Sequence, residues 1–251
     1  MRGLLIDIER KHPDVSRYDE LRNGIVHAAS LNKNWGKSIS VVLDHIHFTD
    51  IYNYLNILHK YDFLILSPQG SPWGSYRGKD MDSLNFLAQT VCGQILEKRS
   101  PTLGICGGHQ FLAMAFGGEI GFIDNSLANF DGDCYPPNCL AERGPTIIRT
   151  LRDDPIFDGI TDHPGHFSVI ENHVEEVKTA PPGFMNLASS DLSRIQLMRL
   201  PDRIVYGVAF HPERGWSHRE TNEASLAPHG KRILANFLKM AYAVKYRVSF
   251  V

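Results

Sequence analysis

Short, nearly uninterrupted apolar runs recur through the first half of the chain, and stretches with helical spacing separate them. Leu4-Leu5-Ile6-Asp7-Ile8, Ser38–Leu43, Phe63-Leu64-Ile65-Leu66 and Thr102-Leu103-Gly104-Ile105 read as strands. Between them lie Tyr18–Leu31, Asp50–His59 and Met81–Glu97, and Gly108–Phe116 follows the last. In Asp50–His59 the apolar positions 51, 54, 55 and 58 have the spacing of one α-helical face. Asp80 is placed to cap Met81–Glu97. Strands without polar alternation are buried on both sides. The pattern therefore predicts an α/β fold, an open and mostly parallel sheet with helices on both faces. Reactive groups in such folds gather at the carboxyl ends of the strands.

The second half is less regular. Residues 123–146 carry Gly132, Pro136, Pro137, Gly144 and Pro145 and are expected to form a long loop. Strands are expected at Ser168–Ile170, Ile195–Met198 and Ile204–Phe210, and a closing amphipathic helix at Arg232–Tyr246. With no linker-like stretch and no repeat, residues 1–251 are read as a single domain.

Composition removes several classes of function. The 26 Lys and Arg against 28 Asp and Glu give a net charge of −2, with no electrostatic footprint for nucleic acid or an anionic membrane. No apolar stretch approaches the roughly 20 residues that span a bilayer. The Leu4-Leu5-Ile6 run is too short for the core of a signal peptide. Cys92, Cys106, Cys134 and Cys139 are too sparse for a disulfide scaffold and suit a reducing compartment, so the expected location is the cytoplasm.

The chemistry concentrates in Gly104-Ile105-Cys106-Gly107-Gly108-His109-Gln110. An apolar strand that ends in Gly-x-Cys-x-Gly and enters a helix is the cysteine form of the nucleophile elbow. Cys106 would sit at a helix N-terminus, where the macrodipole favours thiolate. The Gly107 N–H would point to where an oxyanion forms. A cysteine nucleophile needs a base and the base an orienter. His211-Pro212-Glu213, at the end of an apolar strand, supplies both. The loop Leu66-Ser67-Pro68-Gln69-Gly70 would complete the oxyanion hole with the Gly70 N–H.

These pieces, in this order, resemble the class I (triad-type) glutamine amidotransferase family across about residues 4–213. The resemblance implies a flavodoxin-like three-layer fold. It implies Cys106 as nucleophile, His211 as general base and acid, Glu213 as orienter, and Gly70 and Gly107 as oxyanion donors. Gln110 would lie in the glutamine pocket, and Asn172-His173-Val174-Glu175 would bring Val174 and Glu175 to the amino-acid end of the substrate. The loop Ser67-Pro68-Gln69-Gly70 departs from its relatives, which usually carry a second glycine or a Gly-Pro-Gly there. The implied reaction is hydrolysis of the side-chain amide of glutamine through a cysteinyl γ-glutamyl thioester, without metal or organic cofactor. Ammonia would pass to a synthetase or amidoligase on another polypeptide, because residues 214–251 leave no room for one. The alternative is a γ-glutamyl peptide or amide hydrolase using the same three side chains.

The other candidates have simpler readings. Cys134 and Cys139 form half of a metal-binding pattern with no second pair and read as loop thiols. His45 with His47 and His163 with His166 read as solvated or packed histidines, and His109 as structural. Trp73 and Tyr76 read as aromatics packed beside the Gly70 loop. Arg10-Lys11-His12 and Lys231-Arg232 read as solvated faces.

Overall fold

The computed structural model describes residues 1–11, 15–31, 39–128, 130–160, 165–214 and 227–248. Among these, five parallel strands form the centre of a sheet. They are β1 (Arg2–Asp7), β2 (Val42–His47), β3 (Phe63–Leu66), β4 (Thr102–Ile105) and β11 (Val205–Val208). Their order is β2-β1-β3-β4-β11. Four strands extend the sheet antiparallel beyond β11. They run β10 (Leu197–Leu200), β9 (Met185–Ser189), β6 (Glu142–Thr150) and β7 (His166–His173). A separate antiparallel pair joins β5 (Glu119–Phe122) to β8 (Glu175–Thr179).

Alternation along the buried strands sends neighbouring residues to opposite layers. Leu5, Phe63, Ile65 and Leu103 pack under α1 (Val15–Ser30) and α4 (His229–Tyr246). Leu4, Ile6, Leu64 and Leu66 pack under the segment Phe48–Lys60, α2 (Lys79–Leu96) and α3 (Gly107–Ala115). The sheet is thus covered on both faces, as the apolar runs require. No helix among the described residues is long and apolar enough to cross a membrane.

Three local expectations are corrected. Phe48–Lys60 is wound as 3₁₀ turns, not as an α-helix. Its inward positions fall at Phe48, Ile51, Tyr54 and Ile57–Leu58, while Leu55 is exposed, as three residues per turn dictates. The cap before α2 is Gly78 at φ +53; Asp80 lies inside the first turn with Asp82, where both face the positive helix end. The long loop ends at Ala141, and residues 142–146 belong to β6 in spite of Gly144 and Pro145. Here β6 pairs fully with β7, while β9 meets only Arg149 and Thr150, so Pro145 needs no partner on its other side. Ser38, the first residue of the second expected strand, and His163 and His12 lie outside the described residues.

Gly24 explains how α1 tolerates a residue that weakens helices. A Cβ there would stand 2.6 Å from the Glu213 carbonyl oxygen and 2.9 Å from its Cα. The helix is therefore pressed against the His211–Glu213 turn. Helix propensity favours Gly24→Ala by about 1 kcal/mol. The overlap is expected to outweigh that, since overpacking costs roughly 1–3 kcal/mol. A thermal melt should show Gly24→Ala lowering Tm; an unchanged or raised Tm would mean that α1 can draw back from the turn.

Candidate active site

Cys106 follows β4 directly and takes φ +49, ψ −103, a sparsely populated conformation that costs an L-residue of order 1–3 kcal/mol. Its N–H donates to the Val208 carbonyl of β11 at 2.8 Å, and α3 begins at the next residue. Crowding explains the glycines around it. A Cβ on Gly104 would meet the Gly108 carbonyl oxygen at 2.3 Å, and one on Gly108 would meet the Leu66 carbonyl oxygen at 2.4 Å. Backbone atoms cannot yield as side chains can, so both positions require the missing side chain. The Cys106 sulfur is buried and lies 4.0 Å from the Asn172 carbonyl oxygen.

β11 lies next to β4 with Val208 opposite Ile105, so the turn after β11 emerges beside the elbow. The His211 N–H is tied to the Ile170 carbonyl at 2.8 Å, and its Nδ1 meets Glu213 Oε1 at 2.7 Å. Both side chains are buried. Burial opposes charge on Glu213, but His211, and Arg214 after it, outweigh burial and hold its pKa below the usual carboxylate range. Glu213 is therefore a carboxylate at neutral pH, and it fixes the proton of His211 on Nδ1.

A cavity of about 240 Å³ opens beside these groups. Its lining includes Cys106, Gln110, Tyr135, Val174, Glu175 and His211. Gln110 brackets its wall: its Oε1 accepts Trp73 Nε1–H at 2.7 Å, and its Nε2 donates to the Glu175 carbonyl. The Glu175 carboxylate accepts from Tyr135 O–H at 2.7 Å and from the Trp73 N–H at 3.3 Å. Burial raises Glu175 to about 7 against those two donors.

Gly70 lines the cavity, but its N–H donates to the Glu9 carboxylate. This corrects its expected place as an oxyanion donor. Glu9 also accepts from Ser71 Oγ–H and so holds the loop by two points. The loop nitrogen nearest the elbow is that of Gln69, 2.7 Å from where a Gly107 Cβ would begin. The signal for Glu9 was present as an Asp7-x-Glu9 pair at the carboxyl end of β1. Tyr135 was visible only as an aromatic in a Pro/Gly loop. Nothing local announces that it reaches Glu175, forty residues away in the chain.

The remaining candidates fall into place. His109 is buried, with Nε2 3.1 Å from the Ile195 carbonyl oxygen, and burial lowers its pKa to about 3. It packs where a Gly207 side chain would stand. His47 bonds to Thr49 Oγ1 and the Glu9 carbonyl, and the His45 ring lies tilted against Tyr18 with centroids 3.7 Å apart. Trp73 and Tyr76 are buried, and the Tyr76 O–H donates to the Ile8 carbonyl at 2.6 Å. Cys134 and Cys139 are free thiols.

Fold and site together define an α/β protein in which a strained cysteine and a glutamate-held histidine line one small cavity. The family model for glutamine amidotransferase class-I matches residues 37–241, and the chain belongs to that family. It is 37% identical over 153 residues to the glutamine-hydrolyzing GMP synthase subunit of Pyrococcus abyssi. That match covers 59% of this chain and 66% of the relative, so the chain spans less than two thirds of the relative's length. The fold is shared with a solved Thermoplasma acidophilum protein (TM-score 0.67, 21% identity, covering 98% of this chain and 96% of that one). It is shared too with a glutamine amidotransferase from Thermotoga maritima (TM-score 0.60, 19% identity, 98% of each chain).

Proposed function

We propose that residues 1–251 form one domain that hydrolyses glutamine and releases ammonia to a synthetase carried by another polypeptide. The observation that carries this reading is that His211, held by Glu213 behind it, lines one cavity together with Cys106. The glutamine-hydrolyzing relative from Pyrococcus abyssi supports it.

In this mechanism the Cys106 thiolate attacks the δ-carbonyl carbon of glutamine. The Gly107 N–H and the loop N–H of Gln69 stabilise the developing oxyanion. His211, protonated on Nε2, gives that proton to the amide nitrogen. The C–N bond breaks, ammonia leaves and a γ-glutamyl thioester remains. His211 then takes a proton from water as its oxygen attacks the thioester carbonyl. The C–S bond breaks, glutamate departs and the thiolate is restored. Glu213 keeps Nδ1–H in place throughout, so that Nε2 faces the reaction. Every proton in this cycle is moved by His211.

The cavity, about 240 Å³ and open to solvent on one side, has room for the glutamine side chain. The test is glutamate release by the purified chain with glutamine and with a panel of γ-glutamyl peptides at matched concentrations. Glutamine is expected to show the highest kcat/KM. A higher value for a γ-glutamyl peptide would replace this reading with the peptide-hydrolase one.

A further inference from the structure

Two acids and a histidine that the mechanism does not use are buried together on β6 and β7. Glu142, Glu171 and His173 are 5%, 1% and 5% exposed. Strand pairing sets Glu142 opposite His173, and Glu171 lies two residues back on the same face. His173 Nε2 is 3.0 Å from Glu142 Oε2 and 3.2 Å from Glu171 Oε2. Its Nδ1 is 3.0 Å from the Glu175 carbonyl oxygen. A carbonyl can only accept, so Nδ1 carries a proton. Nε2 faces two carboxyl groups and carries the other, which makes the ring an imidazolium. Burial alone would push its pKa down; Glu171 and Glu142 reverse that and raise it to about 10.

The acids are themselves held. Glu142 accepts from Ser190 Oγ–H on one oxygen and from Gln196 Nε2–H on the other. Glu171 has the His173 imidazolium beside it, and that ion pair keeps it in place. The far end of the imidazolium meets the cavity wall. Asn172, His173, Val174 and Glu175 all line the cavity with Cys106, and the Glu175 carbonyl takes both His173 Nδ1–H and Gln110 Nε2–H. The turn that contributes this wall is thus pinned from below by the cluster and from the side by the nucleophile helix.

We propose that the Glu142–His173–Glu171 cluster is a positioning device that shapes the Asn172–Glu175 turn to receive the amino-acid end of the substrate. The inference rests on the glutamine reading above. None of the three residues touches reacting atoms. Their loss should weaken substrate capture and spare the chemistry at Cys106.

Glu142→Gln removes one charge at nearly constant volume. It is expected to raise KM for glutamine at least tenfold while kcat falls less than threefold. Two covalent probes of Cys106 separate recognition from reactivity. Iodoacetamide needs only the thiolate, whereas 6-diazo-5-oxo-L-norleucine must also be held by its amino-acid end. In Glu142→Gln the diazoketone should label at least tenfold more slowly, with the iodoacetamide rate within twofold of wild type. Ser190→Ala, which removes one donor to Glu142, should shift the same two rates in the same sense by about threefold, and serves if Glu142→Gln does not fold. Equal slowing of both probes would overturn the proposal in favour of general distortion, and an unchanged KM would overturn it outright. Stoichiometric divalent metal in the purified protein would overturn it too, since the cluster would then be a metal site. A wild-type chain that the diazoketone does not label would sink the glutamine reading itself, a failure visible before any variant is made.

Discussion

Cys106→Ala is expected to lower glutamine turnover by at least about 10⁴-fold, leaving only background hydrolysis. The size follows from what the side chain does. Without sulfur there is no covalent intermediate, and water would have to attack an unactivated amide in one step. His211 and the backbone donors would survive, but they act as a unit with the nucleophile and cannot replace it. The fold should not suffer. Alanine keeps the Cβ, so the φ +49 conformation costs it about as much as it costs cysteine, and the glycines that make room around the elbow are untouched. Glutamine should still bind, because the Gln110 and Asn172–Glu175 wall is intact. The measurement is glutamate release alongside a thermal melt. Turnover within tenfold of wild type in a protein of unchanged Tm would remove Cys106 from its assigned role.

The parts of the fold that sequence reading recovers are those where one local rule operates. β3 and β4 are each four residues long, buried at every position, and stand at the expected boundaries. β2 is displaced toward Asp44-His45-Ile46-His47 because its polar residues are satisfied across the fold. Asp44 receives Arg2 and Tyr61, and His47 reaches the Glu9 carbonyl. A polar run looks like a loop until those distant partners are known. The same division runs through the site. Cys106 and the His211–Glu213 pair belong to short contiguous motifs, each formed by one strand end and its turn. Glu9, Gln69 and Tyr135 are placed by contacts across the strand ends, and their chemistry is ordinary until the sheet order brings them together. Gly24 shows the reverse error. It reads as a weak point in a helix, yet its missing side chain is what lets α1 close on the His211–Glu213 turn.

Glu213→Gln should be nearly as damaging as loss of the nucleophile, by a different route. The carboxylate accepts the Nδ1–H of His211 at 2.7 Å, and so the neutral ring presents Nε2 as the base. A glutamine at this position can turn its amide nitrogen toward Nδ1 and donate to it. The ring would then favour the opposite tautomer, with its proton on Nε2 and no lone pair available for Cys106 or for water. The imidazolium that forms during each proton transfer would also lose the negative charge beside it. In the analogous Ser-His-Asp arrangement the equivalent change costs about 10⁴ in kcat, and a loss of about 10²–10⁴ is expected here. KM should change little, because Glu213 is not among the residues lining the 240 Å³ cavity. The pH profile carries the sharper test. Glu213 is held below the ordinary carboxylate range, so wild-type activity should not fall from its protonation anywhere near neutral pH. Raising the pH should not rescue Glu213→Gln, since the wrong tautomer persists wherever His211 is neutral. Steady-state kinetics from about pH 6 to 9, spanning the ordinary titration range of histidine, would decide. Recovery of the variant toward wild-type kcat at high pH would mean that the tautomer of His211 does not depend on Glu213, and the orienting role would be lost.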